Sequence, residues 1–106
     1  MTATGVAPPP ALHVPDEPTL HKLVWRDRVL AGEDLQALVT GPGGPVDWLW
    51  DRWRVLGTAG MGRAELGSVV DGYRREIWLW LAGERTWEQC CSGLVGRISR
   101  RLADPS

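Results

Sequence analysis

Seven tryptophans and no phenylalanine set the terms on which this 106-residue chain can fold. A core here must be filled largely by indoles, and each buried indole brings an N–H that has to find an acceptor. Three of the seven fall in DWLWDRWR, residues 47–54, between a Gly-Pro loop and a Gly-Thr turn. Two more fall in IWLWLA, residues 77–82.

Apolar spacing makes the fold class all-α. Leu20, Leu23, Val24 and Leu30 lie on one side of a first helix, which Asp16 or Thr19 would cap and Gly32 would end. A short second helix covers Asp34 to Thr40 through Leu35, Leu38 and Val39, and GPGGP at 41–45 then turns the chain. A third helix runs from Pro45 or Asp47 to Gly57, with Leu49, Trp53 and Leu56 facing the core. Leu66, Val69, Val70, Tyr73, Ile77, Trp80 and Leu81 read as one long fourth helix from about Arg63 to Leu81. Thr86 and Gln89 form a T-x-x-Q capping box for a fifth, in which Trp87, Cys90, Cys91, Leu94, Val95, Ile98 and Leu102 recur at helical spacing. No segment alternates as a half-buried strand does. The expectation is a small bundle of four or five helices over residues 19–104. Residues 1–18, with five prolines, are expected to be a disordered, Pro-rich N-terminal arm standing off the core.

Composition narrows the function classes. A formal net charge of −1 does not supply the positive field needed to blanket nucleic acid or an anionic membrane. Cys90 and Cys91, adjacent and ill-placed to bridge each other, read as free thiols of a reducing compartment. The longest apolar run is far short of a membrane span, and the first residues lack a signal-peptide pattern, so a cytoplasmic protein is expected. His13 and His21 have no partners at metal-ligand spacing, and GPGG and GTAGMG have neither the lysine nor the strand of a phosphate loop. No catalytic residue, cofactor or metal is therefore expected. An anion held by GTAGMGR through Arg63 ranks below a plain loop. A pocket lined by Tyr73, Arg74 and Glu76 is the one place a small enzyme would hide.

Trp53, Trp80 and Trp87 sit on core stripes. Trp25, Trp48, Trp50 and Trp78 sit beside or outside them, and either the fifth helix and the arm cover them or they leave a Trp-rich surface for another protein or a second copy of the chain. The expected interface is Trp48, Trp50, Trp78 and Leu79 with Arg74 and Arg75, since exposed Trp and Arg are what interfaces use as anchors. The reading from these residues is a non-catalytic protein-interaction or adaptor module, with a homodimer as one form of it. The second reading is a helix-turn-helix DNA-binding protein. In it GERTWEQCCSGLVGRISRR, residues 83–101, turns near Gly93 to Gly96 and presents Arg97, Arg100 and Arg101.

Overall fold

The computed structural model describes residues 12–103. Within them the chain forms helices only, seven in number: α1 Thr19–Leu30, α2 Leu35–Thr40, α3 Pro45–Arg52, α4 Val55–Ala59, α5 Arg63–Asp71, α6 Arg74–Leu81 and α7 Trp87–Ala103. The all-α class holds, but the count of four or five is too low, because two of the expected helices are broken.

The first break lies between α3 and α4. Trp53 leaves the helical region (φ −110, ψ 44), and its ring is nevertheless 3% exposed, so the chain bends where the indole is swallowed. The second falls at Gly72 and Tyr73 and divides the expected long helix into α5 and α6. The bend brings Tyr73 across to α7, where its hydroxyl lies over Gly93 so closely that a Cβ there would overlap it. By contrast, α7 runs unbroken past both of its glycines.

Local chemistry explains the boundaries. Asp34 caps α2 by accepting from the Ala37 amide (3.1 Å). Pro45 starts α3, and the Asp47 carboxylate reaches back to the Gly43 amide (2.9 Å), closing the GPGG turn. Gly32 and Gly60 take left-handed conformations just past α1 and α4. Thr86 and Gln89 make the reciprocal capping box at the start of α7, at 3.0 and 2.9 Å. Neither Asp16 nor Thr19 caps α1, whose N-cap is Pro18.

The core joins every element: Leu38 and Val39 from α2, Leu49 from α3, Leu56 from α4, Leu66 and Val70 from α5, Ile77 and Leu81 from α6, and Cys90, Cys91, Leu94 and Ile98 from α7. These are the expected stripes. The exception is α1. Leu20, Leu23, Val24 and Leu30, read as its core face, are 77%, 45%, 56% and 68% exposed. The helix is turned the other way and buries Trp25 (2%).

The expected arm also departs from expectation where it is described. Residues 12–18 lie on the bundle, with Leu12 and Val14 packed against the core and Pro18 buried. Residues 1–11, and Asp104 at the expected domain's end, lie outside the described residues.

Candidate functional site

Four indoles from four helices close into a ring. Trp25 of α1 meets Trp48 of α3 edge to face (centroids 6.4 Å, 83°), Trp48 meets Trp87 of α7 (5.7 Å, 80°), Trp87 meets Trp80 of α6 (4.8 Å, 50°), and Trp80 returns to Trp25 (6.2 Å, 66°). Edge-on contacts suit the quadrupole of the rings and add about 0.5–1.5 kcal/mol per pair beyond burial. The ring, with Cys90 and Cys91, lines an apolar cavity of about 10 Å³, no larger than one water.

The indole N–H groups explain where the chain runs. Trp25 donates to the Gly43 carbonyl (2.8 Å), which ties α1 to the GPGG turn. The other partners come from the segment 12–18: Trp53 donates to the His13 carbonyl (3.2 Å), Trp87 to the Pro15 carbonyl (2.6 Å), and Trp80 to the Glu17 carboxylate (2.9 Å). Lys22 completes this end, 3.4 Å from the Glu17 carboxylate and 5.3 Å from the Trp80 ring centre. Residues 12–18 are therefore a strap that supplies acceptors a purely helical bundle lacks. Trp48 is the exception: it is 8% exposed, and its N–H is buried without a partner. The Arg52 guanidinium covers its ring at 3.7 Å.

Orientation of α1 follows from these bonds. With its present face inward the helix buries an indole, satisfies the donor, and sets Lys22 and His21 against the ring of tryptophans. The consequence is an uncovered stripe of Leu20, Leu23, Val24 and Leu30 at helical spacing. Burying such a side chain is worth about 1.5–3 kcal/mol, so several kcal/mol of burial free energy stays unrealised in the free chain.

The expected interface is placed differently. Trp48 is in the core, while Trp50, Trp78 and Leu79 are half-buried. Arg74 pairs with Asp71 (2.8 Å), and Arg75 is exposed. Sequence reasoning sought the surface apolar groups among the tryptophans, and the structure has them on α1. The signal available in the sequence was the donor count, since a buried indole needs an acceptor and Trp25 stands opposite the aliphatic stripe of its helix.

The helix-turn-helix arrangement is absent from residues 83–101, because α7 runs straight through 93–96. Its arginines serve other neighbours. Arg101 pairs with Glu65 of α5 (2.9 Å), Arg97 lies 5.5 Å from the Tyr73 ring centre, and Arg100 is exposed. Arg97 and Arg101 border an open hollow of about 200 Å³ with Ser68, Val69 and Gly72.

Other candidates are accounted for in the same way. Arg63, the anion candidate, pairs with the Asp47 carboxylate, and Met61 within GTAGMGR is 1% exposed. Arg74 and Glu76 are turned to Asp71 and Arg85, while Tyr73 packs on Gly93. Burial pushes the Cys90 thiol up to about 12, with Glu76 adding to it, and burial followed by Cys90 does the same to Cys91. Both thiols are buried in the core, away from the exposed, electropositive setting that favours a thiolate. Among the described residues no three His, Cys, Asp or Glu side chains gather as metal ligands. No helix among them is long and apolar enough to cross a membrane. Compared with family models, curated proteins and solved structures, the chain matches none.

Proposed function

We propose that this chain is a non-catalytic protein-interaction module that associates with a second copy of itself through α1. The observation that carries the reading is the outward-facing stripe of Leu20, Leu23, Val24 and Leu30. Four such side chains amount to a patch on the order of a few hundred Å², about as large as the biggest that monomers leave uncovered. A second copy is favoured by self-complementarity. In an antiparallel pair of α1 helices Leu20 lies opposite Leu30 of the other copy, Leu23 opposite Asp27 and Val24 opposite Arg26. Among the described residues neither Asp27 nor Arg26 has an ion-pair partner within the chain. The area falls short of the roughly 800 Å² per partner of a standard interface, so the dimer is a weak one, with a Kd on the order of micromolar.

Light scattering behind size exclusion, over a hundredfold range of concentration, tests this. The mass is expected to rise from monomer toward dimer, and Leu23→Asp/Leu30→Asp is expected to hold the chain monomeric without moving its unfolding midpoint. A wild-type chain that stays monomeric throughout overturns the reading. Trp78→Ser serves as the matched comparison for the second surface, formed by Trp50, Trp78 and Leu79 with Arg74 and Arg75. If that variant alone lowers the mass, the interface lies on α6 instead.

A further inference from the structure

The strap is held as a ligand is held. Its described contacts are apolar side chains and acceptors: Leu12 and Val14 against the core, the alternate carbonyls of His13 and Pro15, and the carboxylate of Glu17. The donors to it are side chains of the bundle, apart from the Thr19 and Lys22 amides, which bond the Glu17 and Pro18 carbonyls where the strap runs into α1. Among the described residues the main-chain amides of His13, Val14, Asp16 and Glu17 donate to nothing in the fold. A groove that reads only carbonyls and carboxylates suits a proline-containing segment, because proline has no N–H to offer. Aromatic walls that take an extended, proline-containing segment are a recurring mode of peptide recognition.

A second observation points the same way. The strap meets the donors of Trp53, Trp80 and Trp87 but leaves that of Trp48 unmet, although Trp48 lies one ring away, 5.7 Å from Trp87, and is itself 8% exposed. The wall behind the strap thus carries a buried donor, the Trp48 N–H, that has no partner among the described residues. Lys22, set between Glu17 and the Trp80 face, gives one end of the groove a preference for an acid.

We propose that the tryptophan-walled groove is a recognition site for an extended, proline-containing acidic segment of another polypeptide, and that residues 12–18 occupy it intramolecularly until that segment displaces them. The pattern sought is the strap's own: two apolar residues two apart, then proline, acids and proline. This site is separate from the outward face of α1 and does not depend on it. Because the strap is tethered, it competes at an effective concentration on the order of millimolar, and the apparent affinity for a free peptide falls by the fraction of chains in which the groove is open.

The test uses the full chain with ¹⁵N-labelled indoles and a synthetic peptide, LHVPDEP, as the probe. In a Val14→Asp variant the Trp53, Trp80 and Trp87 indole signals are expected to move as the strap lets go. They are then expected to return, saturably, toward their wild-type positions when the peptide is added. Half-saturation of the wild-type chain is expected to need at least about tenfold more peptide, and a peptide with glutamine for glutamate and alanine for proline is expected to bind more weakly. A Val14→Asp chain that keeps its helical circular dichroism and ignores millimolar peptide overturns the proposal. Where Val14→Asp fails to fold, Leu12→Ser/Glu17→Gln, gentler at the core, decides between the same outcomes. Loss of the helical fold in both variants makes the strap a part of the core and overturns it too. Indole shifts that grow with protein concentration alone, alongside a doubled mass that persists in Leu23→Asp/Leu30→Asp, assign the groove to a second copy's strap and overturn the choice of another polypeptide.

Discussion

A methyl group at position 93 would collide with the Tyr73 hydroxyl, while one at position 96 would meet nothing. Both glycines are helical, and replacing a helical glycine by alanine ordinarily gains about 0.5–1 kcal/mol. Gly96→Ala is therefore expected to stabilise the chain by about that amount, and Gly93→Ala to destabilise it by about 1–3 kcal/mol through overpacking. Urea unfolding of the two variants checks the pair. The cysteines make a prediction in pH. Burial holds both thiols neutral up to about 12 against an ordinary 9.0, so above pH 9 the unfolded chain loses protons that the folded chain keeps. Stability is whole below about pH 9 and is lost as pH rises toward 12, at up to about 1.4 kcal/mol per pH unit for each thiol. Tyr73, raised by burial first and by Cys90 and Glu76 next, bends the curve the same way. Cys90→Ala/Cys91→Ala is expected to flatten the decline, measured as unfolding midpoints between about pH 8 and pH 11.

At the scale of the element, the start of α7 offers a clean case. Thr86 Oγ1 accepts from the Gln89 amide while Gln89 Oε1 accepts from the Thr86 amide, so Thr86→Ala is expected to cost about 1 kcal/mol, read as a lowered Tm. This element was legible in the sequence: the box announced it and the spacing from Trp87 to Leu102 carried it through two glycines. The interior positions of α2, α5 and α7 were legible for the same reason, since their apolar residues agree on one face, whereas on α3 the buried Trp48 lay off the stripe of Leu49. On α1 they disagree. Four aliphatics pointed one way and a single indole the other, and a hydrophobic wheel weighs area without asking where an N–H must go. The breaks at Trp53 and Gly72 were hidden because each depends on a contact from far along the chain, His13 in one case and Gly93 in the other. The strap was hidden because proline content says only that a segment is not helical, whereas its value here lies in its carbonyls.

Taken as a whole, the molecule has two classes of indole bond. Trp25 is anchored to the GPGG turn inside the bundle, whereas Trp53, Trp80 and Trp87 depend on the strap. Segments with few anchors open more readily than the global fold. Hydrogen exchange is accordingly expected to release the N–H groups of Trp53, Trp80 and Trp87 together, and that of Trp25 later, near the rate of global unfolding. Equal exchange of all four would mean that the strap and bundle open as one unit. The closed ring of Trp25, Trp48, Trp87 and Trp80 also has an optical consequence. Chromophores this close, and set edge to face, share their excitation: light absorbed by one indole is passed to the others before it is emitted. Their fluorescence should be strongly depolarised even in a rigid solvent, and their circular dichroism should carry exciton lobes overlapping the helical bands. The ultraviolet spectrum of the chain thus reports, with no added dye, whether the ring is closed.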